Sequence, residues 1–520
     1  MALRGPPTGL KAVLKPSWLE DEHASEEASA ATLQQHAAKE SGEIGSVGGA
    51  RAYVFFTTDL PEPLRLPQEP LSIEASLRRG DLSKLVNRLL TEKDPDAWPI
   101  PQPLDFLVDG KTFLRGSLKE HMQQHAMTAE VAVRLHYQLA MRKGEEHVLP
   151  PAPDWISEVA VPSSKGPIVA ASYDGHLRLY SAETPSLVHD VPLGQGPLTG
   201  VASVRLCGGE GEAVLCLAAT QGGGLLSVCL AETESRWSSR LCFAGAHGGP
   251  ATCVAARPNG ELAALGGSDG CVTLWNCRAA AEAAKAEAAE ASEGQGRRKR
   301  RMDATGASGP CGVLPCAARG CAGASASSVR AISDILFGLD SLDGHAVSSG
   351  MDGCLCLWSL EGRLVSQWRC DAVPLGLALS PTEGQVVAAA HEDCRVRLWD
   401  VRSPAGLEME GQEAGKGGPP PSRGFSLRQS LKGRHARLPS AVSWCPNNGH
   451  LVASAGQDGC VLVQDIRASA EPLVVFKAQV EGAPVRLLSC TWLADTAVVT
   501  GGSDGRVRIH GVFAGARGEG

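Results

Sequence analysis

Val347-Ser348-Ser349-Gly350-Met351-Asp352-Gly353-Cys354-Leu355-Cys356-Leu357-Trp358-Ser359 is a small apolar run, a tight Asp-Gly turn and an alternating apolar run that ends in Trp. The spacing predicts a β-hairpin: the Asp-Gly pair supplies the positive-φ corner, and Leu355 and Leu357 share one face of the second strand. The pattern recurs. Ala171-Ser172-Tyr173-Asp174-Gly175 leads to Tyr180, Gly266-Gly267-Ser268-Asp269-Gly270 to Trp275, and Ala390-His391-Glu392-Asp393-Cys394 to Trp399-Asp400. Ala455-Gly456-Gln457-Asp458-Gly459 leads to Gln464-Asp465, and Gly501-Gly502-Ser503-Asp504-Gly505 to Ile509. From about residue 150 onward the chain is a repeat array.

The corners give the period. Asp352 to Asp393 is 41 residues and Asp458 to Asp504 is 46. Asp174 to Asp269 is 95, room for two repeats, with a weaker unit at Leu217 to Leu230 where Gly222-Gly223-Gly224 replaces the Asp corner. The longer gaps, 83 and 65 residues, hold insertions at 278–325 and 403–430. Both are expected to loop out between blades, because the entropy cost of closing a loop grows slowly with its length. Counting the weak unit gives seven, a number that closes a ring of four-stranded blades. The expected fold of 153–515 is an all-β, seven-bladed propeller.

Ahead of the array, residues 1–49 are rich in Ala, Glu, Gly and Ser without a sustained period and read as a disordered extension. Residues 50–138 read as one small α+β domain. Tyr53-Val54-Phe55-Phe56 is a strand, and Leu64 to Ile73 can supply a second. Leu82, Leu85, Val86, Leu89 and Leu90 recur at helical spacing behind Asp81 as N-cap, and Phe106-Leu107-Val108 meets an Asp109-Gly110 turn. A packed segment begins at Phe113, Leu114 and Leu118, and Val131, Val133 and Leu135 alternate as the last strand. Residues 139–152, with Glu145, Glu146, Pro150 and Pro151, read as a linker. The end of the chain is too short to complete its blade, so the segment from about 140 to 153 is also expected to supply the closing outer strand.

Composition narrows the function. With 49 Lys and Arg against 57 Asp and Glu, the net charge of −8 argues against broad affinity for nucleic-acid phosphates. No run approaches the roughly 18–20 apolar residues of a membrane span, and the acidic N-terminal stretch is wrong for an import presequence. Of 17 cysteines, Cys311, Cys316 and Cys321 are five apart, and Cys354 and Cys356 alternate in one strand. None has the spacing of a structural zinc site, so the thiols read as buried or loop residues in a reducing compartment and no metal or cofactor is expected. No nucleophile with a positioned base, carboxylate pair or phosphate-cradling loop is recognisable, so an enzyme is not expected.

Two resemblances add to this. The array resembles the WD-repeat family, in which Asp174, Asp269, Asp352, Asp393, Asp458 and Asp504 are structural blade positions; only Trp399-Asp400 carries the eponymous dipeptide. His247 with Asp269 and Trp275, and His435 with Ser454 and Asp458, look like parts of that family's hydrogen-bond network. In the front domain, Phe55-Phe56-Thr57, the Leu82-to-Leu90 helix, Leu104-Asp105-Phe106-Leu107-Val108-Asp109-Gly110 and Leu114-Arg115-Gly116-Ser117-Leu118 resemble the ubiquitin-like (β-grasp) domain of the Notchless family. Joined to a propeller that begins Asp154-Trp155-Ile156-Ser157, it is similar to the WD-repeat ribosome-biogenesis family that partners Pescadillo and Block of Proliferation. The resemblance implies an assembly factor of the large ribosomal subunit in the nucleus and nucleolus. Its ubiquitin-like domain would dock on the metal-ion-dependent adhesion site of the AAA ATPase midasin, which removes the factor from the pre-60S particle. The docking position falls on Glu130, where a carboxylate can complete the coordination of a divalent cation held by midasin. Arg297, Arg298, Lys299, Arg300 and Arg301 read as a nuclear-import signal, with an RNA-phosphate contact as the rival. Two alternatives stay open: a Notchless-like pre-60S factor, expected to have eight blades, and a substrate receptor for a ubiquitin ligase or the proteasome.

Overall fold

The computed structural model describes residues 51–514 apart from longer breaks at 126–131, 279–311, 316–330 and 402–424 and short ones at 163–165, 209–210, 234–235, 247–248, 339–341, 343, 362–363, 468–471 and 481. The chain opens with β1 (Arg51–Thr57), whose alternate residues Ala52, Val54 and Phe56 are buried as a half-buried strand requires. β2 (Leu71–Glu74), α1 (Arg79–Lys93), β3 (Leu104–Val108), β4 (Thr112–Phe113), α2 (Leu118–Gln124) and β5 (Val133–Leu139) follow. The sheet order is β2-β1-β5-β3-β4, with β1 and β5 parallel at its centre. That is the mixed sheet of a ubiquitin-like domain.

α1 lays Leu82, Val86 and Leu90 on the sheet at a four-residue spacing. Asp81 is not the N-cap. Arg78 holds that position, and the Asp81 carboxylate, three residues on, accepts the Arg78 N–H at 3.3 Å. The carboxylate still satisfies an orphan donor, from one position further into the helix. In the core Phe56 meets Phe106 and Tyr137 edge-on, with centroids 6.4 and 6.3 Å apart, and the Tyr137 hydroxyl donates to Leu64 O at 2.6 Å.

Beyond the domain, the described residues form seven four-stranded sheets, spanning 156–192, 198–246, 251–315, 332–369, 374–434, 439–477 and 487–514. The seventh includes β6 (Met141–Val148) as its outer strand. The first strand of each sheet packs against that of the next, and Leu487–Leu493 packs back on Ile156–Ala160. Each first strand bulges at the same place, between Ile156 and Glu158, Leu198 and Gly200, Ala251 and Cys253, Ile332 and Asp334, Pro374 and Gly376, Pro439 and Ala441, and Leu487 and Ser489. Such a bulge sharpens the twist and re-aims the next side chain. Glu158 uses this to accept Val201 N–H of the second sheet at 2.7 Å, and Asp334 to accept Leu377 N–H of the fifth at 2.7 Å. The residue beside the Glu158 carboxylate is glycine: a Cβ on Gly200 would lie 2.7 Å from the Glu158 oxygen.

Two expectations about connections change. The insertions do not fall simply between sheets. Gly312–Pro315 is the fourth strand of the third sheet and Phe425–Arg434 that of the fifth, so the extra chain before residue 312 and before residue 425 joins third and fourth strands within one sheet, only 316–325 of the first insertion follows its sheet, and residues 425–430 belong to a strand. The outer strand is the one whose displacement leaves the inner packing undisturbed. Nor is 139–152 a plain linker: only Ala140 separates β5 from β6, and β6 runs antiparallel to Val507–Ala514.

Candidate interaction surfaces

The Asp corners are built alike in backbone and differently in side chain. The residue after each Asp has positive φ: Gly175 at 83°, Gly270 at 79°, Gly353 at 82°, Gly459 at 77° and Gly505 at 71°, with Gly223 at 85° in the weak unit. Cys394 takes the same place at 68°, a conformation that costs a residue with a Cβ about 1 kcal/mol or more. Asp174, Asp393 and Asp504 each bind the arginine four residues on, Arg178, Arg397 and Arg508, through both carboxylate oxygens. Burial pushes the Asp174 carboxyl up, but the Arg178 guanidinium and the His176 and Ser172 donors outweigh it and hold the group below its usual value. Asp269 and Asp352 accept the N–H two residues on, from Cys271 and Cys354, both at 3.0 Å. Asp458 accepts the Cys460 N–H in the same way, at 3.0 Å, and also faces His435 at 3.1 Å, whose Nε2 lies 2.9 Å from the Ser454 hydroxyl. His247 lies outside the described residues. These groups hold hairpins together.

Related contacts are absent from the sequence reading. His391 Nδ1 lies 2.9 Å from Ala372 O, and Trp399 Nε1 donates to His391 Nε2 at 3.3 Å; burial lowers this histidine's pKa and keeps it neutral, so Nε2 can accept. In the seventh sheet His510 lies 2.9 Å from Thr500 Oγ1 and 2.7 Å from the Glu146 carboxylate of β6. Arg467, held by the fully buried Asp465 carboxylate, donates to Gln138 of β5 at 2.7 Å, and Leu473 packs on Leu107 and Phe113. The front domain is thus seated on the sixth sheet. The partners of Gln138 and Glu146 lie more than 300 residues away, so local pattern carries no signal for those two roles.

One end of the ring can be read from a repeated bond. Tyr173 N donates to Trp155 O, Gln221 to Pro197, Ser268 to Pro250, Met351 to Ala331, Glu392 to Val373, Gln457 to Leu438 and Ser503 to Arg486, at 2.8–3.0 Å. These residues therefore sit at equivalent places on one face. Trp155, Met351 and Leu438 are exposed there, and Trp155 meets Tyr173 edge-on at 6.3 Å. Exposed aromatic and Met side chains suit a protein partner.

Of the other predicted residues, Glu130 lies outside the described residues. In sequence it lies between α2 and β5, and early in β5 Arg134 O accepts the Asp109 N–H at 2.9 Å. Arg297, Arg298, Lys299, Arg300 and Arg301 also lie outside the described residues. Among the described residues no group of three or more His, Cys, Asp or Glu could hold a metal, and no helix is long and apolar enough to cross a membrane. The described cysteines are free thiols, and burial pushes Cys490 up to about 12.

Comparison with known proteins fits this division. The family model described as NLE (NUC135) domain matches residues 53–122, and that for the WD domain, G-beta repeat, matches 239–276. The ribosome biogenesis protein WDR12 homolog of Chlamydomonas reinhardtii is 28% identical over 498 residues, covering 88% of this chain and 97% of that protein. The chain is similar to the WDR12 and YTM1 ribosome biogenesis proteins over most of its length. The WDR12 homolog of Ixodes scapularis is 26% identical, covering 88% of this chain and 97% of its own, and YTM1 of Laccaria bicolor 24%, covering 84% and 90%. The similarity to WDR12 and YTM1 runs through both the NLE domain and the ring.

Proposed function

We propose that this protein is a non-enzymatic nuclear and nucleolar assembly factor of the large ribosomal subunit, acting in pre-60S maturation and rRNA processing. The supporting observation is the coverage of its relatives: proteins named for ribosome biogenesis align with 84–88% of the chain, across both the NLE domain and the sheets that follow. The seven sheets act as one closed, seven-bladed WD-repeat ring, a scaffold for Pescadillo-type and Block-of-Proliferation-type proteins. The domain boundaries follow the sequence reading, except that the segment before residue 153 contributes the ring's last strand.

The ubiquitin-like domain is the handle. Glu130 offers a carboxylate to the cation in midasin's adhesion site, and ATP hydrolysis in that partner withdraws the factor. Arg297 to Arg301 directs import into the nucleus. Affinity purification followed by mass spectrometry tests the setting: Pescadillo-type proteins are expected, whereas cullin adaptors or proteasome subunits in their place would transfer the domain to ubiquitin-linked work. A Glu130→Ala chain is expected to enter particles and then resist release. Dissociation at the normal rate with midasin and ATP supplied would remove Glu130 from its role.

A further inference from the structure

A cleft of about 700 Å³ opens between α1, the proline-rich segment that follows it and the closing strand of the ring. Four cations line it, Arg79, Lys84 and Arg88 from the helix and Arg142 from β6, against the single carboxylate of Glu92. In a chain of net charge −8 this is a local reversal of sign. Its cations are free to act. Lys84 and Arg142 are exposed and have no ion pair among the described residues, and Arg88 has only the exposed pair with Glu92 one turn on, of a kind worth about 0.5 kcal/mol. Arg79 gives one N–H to Asp105 at 2.7 Å and has others left.

The walls are fixed. Buried Asn87 donates to Gln102 O at 2.7 Å while its carbonyl accepts Gln102 N–H at 2.7 Å and the Trp98 indole N–H at 2.8 Å, which pins the proline-rich side to the helix. The wall bearing Arg142 is set by the single-residue passage from β5 to β6 and by the pairing of Arg142 with Phe513. Cations from the front domain and from the ring therefore face one space at a set separation.

We infer that this cleft binds the sugar-phosphate backbone of a single-stranded RNA segment. Separate cations along a groove match successive phosphates, and Ser83 and Gln102 supply the polar lining that phosphate and sugar contacts use. The choice of RNA over an acidic polypeptide rests on the proposal above that the chain works on a ribosomal precursor, whose surface is largely RNA. The cleft is lined by described residues, none of them from the Arg297 to Arg301 run.

The test uses the full chain with 297–301 changed to serine, so that this run does not mask the cleft. A fluorescein-labelled single-stranded RNA of about 15 nucleotides is titrated by anisotropy at several salt concentrations. Lys84→Glu with Arg142→Glu is expected to weaken binding by about tenfold or more and to make the log–log salt slope shallower by about 1.4, two contacts' worth for a single strand. Both positions are exposed, so the thermal transition stays put, and Lys111→Glu, at the far end of β3, leaves affinity unchanged. Equal affinity for the double variant, or no binding by the parent, overturns the inference. Loss of poly-glutamate binding with RNA binding intact would reassign the cleft to an acidic protein. Glu130→Ala should bind this RNA normally, so the outcome is separable from the release experiment.

Discussion

The first and seventh sheets of the ring carry the same corner and are assembled in different ways. Asp174 and Arg178 in one, and Asp504 and Arg508 in the other, form the same bidentate pair, with arginine side chains 5% and 6% exposed. The first sheet takes its four strands from one continuous stretch, 156–192. The seventh takes three from the end of the chain and the fourth from β6, with Glu146 reaching His510 across 364 residues. The corner is a local device that any hairpin can carry. Closure is a property of the whole chain, and it places the front domain's last strand one residue from the strand that completes the ring.

Removing the closing partner should have the largest effect. Truncation after Arg506 takes away Val507–Ala514 and leaves β6 an unpaired edge, so calorimetry is expected to show loss of the sharp unfolding transition, with aggregation. An unshifted cooperative transition would mean that closure contributes nothing. Next come the twin corners. Asp504→Ala leaves a buried guanidinium without its carboxylate, at a cost of about 3 kcal/mol by denaturant titration, and Asp174→Ala, which leaves Arg178 the longer contact with Asp190 at 3.7 Å, should cost slightly less. The two costs should agree within about 1 kcal/mol. A cost for Asp504→Ala twice that for Asp174→Ala would show corner and closure to be coupled.

The smallest effect concerns the bond from the first sheet to the second. Burial pushes Glu158 up to about 8 and Asp334 up to about 6. The fold therefore holds protons that the unfolded chain, with carboxyl pKa values near 4, has released. Stability from this source is full below about pH 4 and is lost as pH rises through 6 and then 8. Both side chains keep some contact with solvent, so the fall between pH 6 and 8 should be less than the one-proton limit of about 1.4 kcal/mol per pH unit. Glu158→Gln keeps an acceptor for Val201 and should flatten the stability curve between pH 6 and 8. An unchanged slope would place the titration elsewhere.

These contrasts also mark what can be read from sequence. The corners were legible because Asp-Gly, the positive φ and the Trp six residues on lie within one hairpin. α1 was legible because its apolar residues repeat every four, although Asp81 misled by one turn's logic: a capping carboxylate can stand at the cap or three residues in. Glu158 over Gly200, Gln138 on Arg467 and Glu146 on His510 were not legible, since each is half of a pair whose partner lies far away in the chain. The insertions were seen as excess length, but the fourth strand within the first, Gly312–Pro315, is too brief to announce itself. Glu130 and the basic run rest on resemblance, and the cleft became visible only when helix and closing strand stood side by side.

The order of synthesis gives the closing strand a further consequence. Met141–Val148 leaves the ribosome more than 300 residues before Val507–Ala514. Until Val507–Ala514 emerges the nascent protein carries an exposed β-edge next to an already foldable front domain, and a chain stopped before Val507 cannot shut. Arrival of that strand is thereby written into the molecule's shape, and a copy that lacks it is recognisable by the edge it leaves bare.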